Sequence, residues 1–244
     1  MSQIFNRYEK KYLLDEYTYQ QVREQLYEYM VPDRYSTGDG FYVVNNIYLD
    51  TEDDWFIRDS LQHPRYKEKL RWRCYGEQDN HSAMFFEIKK KINRLVNKRR
   101  VMMDFHNAMA FVETHRCPDP SEQNRQVNGE IKYILDCKSP VPKVALFYDR
   151  KAFFIPQDDD LRITFDYNIR GRREQVDFDH ESYGQLILPK DKYIMEVKVS
   201  SAMPLWLTET FSKLHLSRIS YSKYGNEYRQ FLHNNYTHGL YVPK

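Results

Sequence analysis

Alternation of basic and apolar residues is the most regular pattern in the chain, and it is clearest between residues 65 and 74. Side chains of a β-strand point alternately to its two faces, so every second residue shares a face. The pattern predicts a strand with Tyr66, Glu68, Leu70, Trp72 and Cys74 on one face and Arg65, Lys67, Lys69, Arg71 and Arg73 on the other. Five consecutive cations on one face repel one another. We therefore expect this face to bind an anion, and Cys74 to be a small core residue.

Weaker versions of the same alternation predict the other strands. The segments are Phe5–Leu14, Phe41–Asp50, Met84–Lys91, Arg94–Asp104, Lys143–Asp149, Lys151–Ile155, Leu161–Asn168, Arg172–Phe178 and Lys192–Ser200. The third and fourth are so close in sequence that they can form only a hairpin. The polar faces of these segments carry, in chain order, Arg7, Glu9 and Lys11; Glu87, Lys89 and Lys91, with Lys98 and Arg100; Tyr148 and Arg150; Arg162, Thr164 and Asp166; Glu196 and Lys198.

Apolar residues at helical spacing predict amphipathic helices between the strands. The first follows Asp15 as its cap and ends at the Val31-Pro32 break; the others are Asp53–Leu61, Asn107–Thr114, Glu122–Cys137, Pro204–Leu214 and Ser222–Leu232. For any single strand, a charged face exposed to solvent is the simpler interpretation. Several helices, however, need an apolar surface, and the apolar strand faces supply it. If helices cover that side, the charged faces point inward together, and such a sheet can close into a barrel.

The composition limits the class of protein. Lys and Arg total 37 and Asp and Glu total 35, so a net charge of +2 argues against a protein that coats nucleic acid. Three distant cysteines without a CxxC pair exclude a zinc ribbon and fit a reducing compartment. No apolar run reaches the length of a membrane span, and we expect a soluble cytoplasmic protein.

Short motifs along the chain follow the order found in a known family. They are Arg7-Tyr8-Glu9-Lys10-Lys11-Tyr12, Arg71-Trp72-Arg73-Cys74-Tyr75-Gly76, Glu87-Ile88-Lys89, Lys98-Arg99-Arg100, Tyr148-Asp149-Arg150, Arg162-Ile163-Thr164, Glu196-Val197-Lys198 and Ser222-Lys223-Tyr224. Over nearly its whole length the chain thereby resembles the triphosphate tunnel metalloenzymes, specifically the vacuolar transporter chaperone (VTC) polyphosphate polymerase domain and its bacterial relatives. The resemblance implies an α+β fold, with about eight antiparallel strands closed into a tunnel-like barrel and helices outside. We expect one domain over residues 1–244.

The resemblance also implies a chemistry and a set of site residues. The terminal phosphate of ATP would be added to a growing polyphosphate chain, with Mn²⁺ or Mg²⁺ as cofactor. Matching positions imply catalytic phosphate ligands at Lys11, Arg71, Arg73, Lys89, Lys98, Arg150 and Lys223, lesser contacts at Tyr148 and Ser222, and a metal carboxylate at Glu196. The polar strand faces add Lys69, Arg100, Arg162 and Lys198 as substrate contacts, and Glu87 and Glu9 as further metal ligands, since these ions prefer oxygen.

Two departures from the family pattern affect the assignment. Ser220 stands where the subfamily usually has a basic residue, and Arg218 is the candidate substitute. The first strand has Arg7-x-Glu9-x-Lys11 in place of the Glu-x-Glu-x-Lys of plain triphosphatases, which favours the polymerase branch.

Other functions and sites stay open at this point. A hydrolase of triphosphates and a non-catalytic polyphosphate-binding module use the same residues, whereas mixed charge disfavours a nucleic-acid binder. The partners expected are ATP, triphosphate and polyphosphate, and a membrane protein partner is an option that the sequence does not show. The histidines have no metal-binding spacing, the run Asp158-Asp159-Asp160 is interpreted as a solvated turn, and Trp206, Phe211 and Leu214 as a helix face packed on the sheet.

Overall fold

A computed structural model describes residues 8–36, 40–76, 83–93, 95–118, 122–156, 158–178, 180 and 183–237, at 158 and 159 for the backbone alone. Arg7 and Arg94, which belong to predicted strands, lie outside the described residues. So do the side chains of Asp158 and Asp159.

The described residues form eight longer strands, three two-residue strands and six helices. In chain order they are β1 (Tyr8–Asp15), α1 (Glu16–Tyr27), β2 (Val31–Pro32), β3 (Tyr42–Asp50), α2 (Trp55–Leu61), β4 (Tyr66–Tyr75), β5 (Ala83–Ile92), β6 (Leu95–Asp104), α3 (Phe105–Thr114), α4 (Arg125–Lys138), β7 (Val141–Ile155), β8 (Asp158–Arg172), β9 (Gln185–Leu186), β10 (Lys192–Val199), α5 (Leu205–Lys213), β11 (Arg218–Ile219) and α6 (Lys223–Thr237).

The chain divides into two compact units, each assembled from three separate segments. Unit 1 comprises Met1–Val43, Tyr148–Arg170 and Leu186–Ser222, and unit 2 comprises Val44–Phe147, Gly171–Gln185 and Lys223–Lys244. Strands β7 and β8 pass from one unit into the other. A single domain over residues 1–244 stays a prediction.

Unit 1 is a sheet with the strand order β11–β1–β10–β8–β7, in which β2 pairs with β7. Its apolar face contains Tyr12, Met195 and Phe165, which lie opposite one another on β1, β10 and β8. These side chains belong to a core that includes Val22 of α1 and Phe211 of α5. The cap at Asp15 begins α1, since its carboxylate accepts the backbone N–H of Thr18 at 2.8 Å.

Unit 2 has the strand order β7–β3–β4–β5–β6. The apolar row Ile47, Trp72, Phe86 and Val101 crosses β3 to β6, because these residues are directly opposite in register. Helices α2, α3 and α4 pack on this face and contribute to its core Phe56, Phe105, Ala108, Phe111, Val112, Ile131, Ile134 and Leu135. The prediction that helices cover the apolar strand faces is confirmed in both units.

Closure of the sheet into a barrel is not confirmed. The hydrogen-bonded order begins at β11 and ends at β6, and within the described ranges these two end strands do not pair with each other. A closed barrel requires its two edge strands to pair, and β11 is only two residues long. The number of longer strands agrees with the eight expected.

Two long strands replace the four shorter ones predicted between residues 143 and 178. Strand β7 continues through Arg150, because the charge of this residue is paired inside the sheet with Asp166. Strand β8 already begins at Asp158, so the acidic run is strand and not a turn, and it ends at Arg172. The predicted strand over residues 172–178 is therefore wrong: Arg172 donates instead to the backbone carbonyls of Gln175 (2.9 Å) and Asp177 (3.2 Å) in an irregular loop.

Candidate functional site

The register of β4, β5 and β6 collects cations on the polar face of unit 2. Arg71 lies opposite Glu87, which lies opposite Arg100, and the neighbouring row is Lys69, Lys89 and Lys98. Strands are spaced about 4.7–4.9 Å apart and alternate residues along a strand about 6.6–7 Å. Two adjacent rows thus hold five cations and a single acid in a small area, and the alternation seen in the sequence is the cause.

Glu87 is the acid at the centre of this cluster. Its side chain is 1% exposed; one oxygen accepts a hydrogen bond from Arg71 Nε at 2.6 Å, and the other forms an ion pair with Lys98 Nζ at 2.6 Å. Burial opposes ionisation, but the charges of Arg71, Arg73 and Lys98 outweigh it and hold the pKa of Glu87 well below its usual range. The carboxylate is ionised and fixes two of the cations in place.

The pKa values of Lys98 and Tyr48 indicate a strongly positive electrostatic potential on this face. Burial and the charge of Arg71 lower the pKa of Lys98 to about 7, although Glu87 acts in the opposite direction. Burial would raise the pKa of Tyr48, but Arg71, Lys69 and Arg73 lower it to about 8. A face that disfavours a further proton on a lysine and favours a phenolate will favour an added anion.

Arg73 is more enclosed than its neighbours. It is 6% exposed, and its Nε donates to Asn46 Oδ1 at 2.8 Å. Asn46 in turn donates to the backbone carbonyl of Leu146 at 3.1 Å. Arg73 is thereby held at the inner end of the same strand face as Arg71, one strand repeat away.

An aromatic pair supports the same face and was missed in the sequence. Tyr48 lies opposite Arg71 in the β3–β4 ladder, and its ring stacks on Tyr224 of α6 with centroids 4.7 Å apart. The Tyr224 hydroxyl donates at 2.7 Å to Asp50, a fully buried carboxylate that also accepts the N–H groups of Phe56 and Ile57. Only the tyrosine at the end of the Ser222-Lys223-Tyr224 motif offered a signal for this contact.

The polar face of unit 1 carries two mixed rows. Lys11 lies opposite Glu196, which lies opposite Thr164, and the adjacent row is Glu9, Lys198 and Arg162. Lys11 Nζ is 3.3 Å from Glu9 and 3.7 Å from Glu196, and Lys198 Nζ is 2.7 Å from the other oxygen of Glu196. Burial disfavours the charged form of Lys11, but Glu196 and Glu9 outweigh it and raise its pKa, so Lys11 is an ammonium.

The carboxylates of unit 1 fit an Mg²⁺ or Mn²⁺ ion better than Glu87 does. Glu196 and Glu9 flank one ammonium group, and the hydroxyl oxygen of Thr164, opposite Glu196, is buried without a hydrogen-bond partner. Mg²⁺ is usually held by one or two carboxylates together with substrate phosphates, a number that Glu196 and Glu9 can supply. Among the residues that the structure describes, no three His, Cys, Asp or Glu side chains form a metal cluster. Glu87 fits a metal less well, because both of its oxygens contact cations at 2.6 Å, whereas the Glu196 oxygen that faces Lys11 is 3.7 Å from its Nζ.

Arg150 forms the most buried ion pair of unit 1. Its Nε and Nη2 donate to the two oxygens of Asp166 at 2.6 and 2.8 Å, and Asp166 is fully buried. Burial alone would lower the pKa of Arg150, but Asp166 and Tyr148 raise it well above the usual value. The guanidinium lies 5.2 Å from the centre of the Tyr148 ring. Two of its five N–H donors are used by Asp166.

The remaining predicted residues lie at three different places in the fold. Arg162 is on the polar face of unit 1, and its Nη2 donates at 3.0 Å to Asp33, an acid that the sequence did not indicate. Arg218 lies opposite Tyr12, on the apolar side of β1, so the structure does not bring it together with Lys11 and Glu196. Ser222 and Lys223 stand at the start of α6, as predicted.

The family model described as "VTC domain" matches residues 6–232 of the chain. The chain belongs to the VTC domain family. This match confirms the resemblance seen in the motifs, and it spans all the predicted site residues.

The VTC-family chain also resembles individual proteins. It is 27% identical over 150 residues to vacuolar transporter chaperone complex subunit 4 of Schizosaccharomyces pombe, a stretch of 54% of this chain and 21% of that protein. The chain thus spans about a fifth of that relative's length. A crystal structure from Bacillus halodurans, provisionally named an adenylate cyclase, matches with a TM-score of 0.51 at 15% identity, covering 88% of this chain and 92% of that one. This likeness supports the fold.

A second solved structure, from Vibrio parahaemolyticus and with the same provisional name, has a TM-score of 0.46 at 11% identity and covers 88% of this chain and 94% of that one.

Within the described ranges, none of the helices combines the length and apolarity needed to cross a bilayer.

Proposed function

We propose that this VTC-family chain is a metal-dependent phosphotransferase that extends polyphosphate with the terminal phosphate of ATP. The observation that carries the proposal is the pair of rows on β4, β5 and β6, where five cations surround the single carboxylate of Glu87. A fixed, half-buried array of this kind is suited to a chain of closely spaced negative charges. Membership of the VTC domain family agrees with this proposal, because the motif resemblance to that family implies polyphosphate synthesis.

The residues of unit 2 have a binding and charge-neutralising role in this proposal. Arg71 offers a planar guanidinium, a shape suited to two-point contact with phosphate oxygens, while Lys89 and Lys98 offer compact charges. Because Glu87 and the sheet hold these groups before substrate arrives, little reorganisation is needed when charge shifts during transfer. Phosphoryl transfer depends mainly on such positioning and neutralisation.

The residues on the polar face of unit 1 would hold the metal. Glu196, with Glu9, would hold Mg²⁺ or Mn²⁺, and Lys11 would stay protonated between the two carboxylates. When bound, the ion would neutralise charge on phosphate oxygens. The terminal oxygen of the polyphosphate acceptor forms the new P–O bond, and ADP leaves with the electrons of the bond that breaks. No protein nucleophile is required.

The product of ATP turnover tests the proposal. With ATP and Mn²⁺, we expect long polyphosphate chains and one ADP released for each phosphate added. The Glu196→Gln variant should lose this activity and keep its fold. Release of inorganic phosphate without polymer would replace the polymerase by a hydrolase that uses the same residues. Binding of polyphosphate with no turnover under any divalent metal would indicate a binding module. Cytoplasmic location and association with further subunits belong to the same proposal.

A further inference from the structure

One end of the unit 2 sheet exposes a row of apolar side chains that the proposed chemistry does not use. Tyr66, Ile92 and Leu95 lie directly opposite one another where β4, β5 and β6 meet the β5–β6 turn. They are 44%, 52% and 63% exposed, and Val96 on the other sheet face is 42% exposed. A cluster of four exposed apolar side chains at a hairpin end is unusual for a surface that faces only water.

Cations lie on both faces of the sheet directly behind these residues. On the polar face Lys67 lies opposite Lys91, which lies opposite Val96. On the other face Lys90 and Arg99 both contact Glu130 of α4. The sequence between residues 89 and 100 reads KKKINRLVNKRR and contains no acid.

Of the acids near this end, Glu68 and Glu130 are engaged by neighbouring groups, and Asp59 partly offsets the positive charge around Lys67. Glu68 is 9% exposed and accepts the Tyr66 hydroxyl at 2.5 Å, and Glu130 pairs with two cations. The pKa of Lys67 is lowered by its partial burial and by Lys91, which indicates that positive charge is crowded here. The hairpin end therefore combines an apolar tip with a surplus of positive charge.

We propose that the β5–β6 hairpin end, defined by Tyr66, Ile92, Leu95 and Val96, docks on an anionic lipid surface. Charge complementarity selects this occupant. An inserted tip is surrounded by headgroups on every side, so it uses cations on both sheet faces, whereas a protein docked on one face would use only one set. Apolar side chains at the acyl boundary, with Lys and Arg behind them at headgroup level, are the arrangement that binds anionic membranes. The proposal does not depend on polyphosphate synthesis.

Sedimentation with vesicles tests this proposal on the full chain. We expect the protein to pellet with phosphatidylcholine vesicles that contain about one-third phosphatidylserine, and not with pure phosphatidylcholine. The double variant Ile92→Gln, Leu95→Gln should bind the anionic vesicles about tenfold more weakly, because two apolar contacts are lost. The matched control is Leu205→Gln, since Leu205 is 73% exposed in unit 1 and should bind as the wild type.

A gain of signal provides a second measurement that does not depend on a weakened variant. Tryptophan in Leu95→Trp should become quenched by brominated acyl chains in anionic vesicles, beyond the quenching of the wild-type tryptophans. Absence of vesicle binding by the wild type overturns the proposal, as does equal binding by the double variant. A third outcome is that the wild type self-associates without binding vesicles and that the double variant no longer self-associates. The hairpin end would then be a contact between two copies of the chain, and the proposal would be wrong.

Discussion

Glu87 shows how one buried acid can organise a basic face. Without it, Arg71 and Lys98 would repel each other across β4, β5 and β6; with it, both ammonium and guanidinium groups have a fixed partner at 2.6 Å. A carboxylate in this position is more useful for holding cations than for binding a metal. Burial of the Glu87 side chain, which is 1% exposed, disfavours its ionisation, but the positive charges of three neighbouring side chains outweigh this effect.

Replacement of Glu87 by Gln should therefore destabilise the protein in a pH-dependent way. The folded pKa lies below the unfolded value of 4.5, so the stabilisation is fully present above that pH and is lost as pH falls through the folded pKa. At neutral pH we expect a loss of about 1.5–3 kcal/mol, the usual value of hydrogen bonds to charged groups. Thermal unfolding at neutral pH and at about pH 3 should show the difference between wild type and variant shrinking in acid.

Glu209→Gln is the matched control for this experiment, since Glu209 is an exposed residue of α5. It should unfold like the wild type at both pH values. A Glu87 variant whose deficit stayed constant, or grew, on acidification would show that the carboxylate is not ionised in the folded state.

At the scale of single residues, the sequence places the regular members of the site and misses their partners. Lys11, Arg71 and Lys89 follow from strand alternation. Asp33 and Asn46 do not, because nothing in a local pattern says which distant cation a lone polar residue will meet. Contacts such as that of Arg162 with Asp33 depend on the tertiary arrangement.

At the scale of elements, alternation on β5 gives a direct test of the proposed chemistry. Lys89 lies on the polar face with Lys69 and Lys98, whereas its neighbour Lys90 points to the other face and pairs with Glu130 at 2.8 Å. Lys89→Ala should lower kcat/KM for polyphosphate synthesis by about 10²–10³-fold, as expected for loss of a preorganised charge. Lys90→Ala, identical in chemistry, should change it by no more than about twofold, since a partly exposed ion pair contributes little.

Both alanine variants should retain the wild-type circular dichroism and oligomeric state, which separates an effect on the site from an effect on folding. Equal losses of activity in the two variants would mean that the face assignment on β5 is wrong. Steady-state assays with matched ATP and metal concentrations provide the comparison.

Between residues 141 and 178 the strand boundaries differ from those predicted from the sequence, and the reason is physical. A charged residue such as Arg150 predicts the end of an apolar strand. Here, however, its guanidinium donates a hydrogen bond to the buried carboxylate of Asp166 on the adjacent strand, and β7 continues. The opposite error occurred after Arg172, where alternation suggested a strand and the arginine instead bonds loop carbonyls. Both outcomes are decided by hydrogen-bond partners that are distant or irregular in sequence.

At the scale of the whole molecule, the distribution of charge matters more than its sum. A net charge of +2 leaves the chain with little general attraction for polyanions. The residue pattern predicted the side on which helices pack, and the family resemblance implied the α+β class and about eight strands. Barrel closure did not follow in the same way, because it depends on pairing at the ends of the sheet, where β11 has two residues and few distinguishing features.

This charge distribution predicts selectivity between polyanions. Lys69, Arg71 and Lys89 are half-buried (the Arg71 side chain is 17% exposed), whereas Lys98 and Arg100 are exposed. We therefore expect a slender phosphate chain to contact more of these cations than a rigid duplex does. Tripolyphosphate should therefore displace a labelled polyphosphate at about 0.15 M salt, while duplex DNA at the same phosphate concentration should not. Fluorescence polarisation measures both. Raising the salt should weaken polyphosphate binding in proportion to the number of phosphates contacted, and Lys89→Ala should make that dependence shallower. If DNA competed as well as tripolyphosphate, the basic rows would be an open, unselective surface, and the proposed phosphate site would lose its main support.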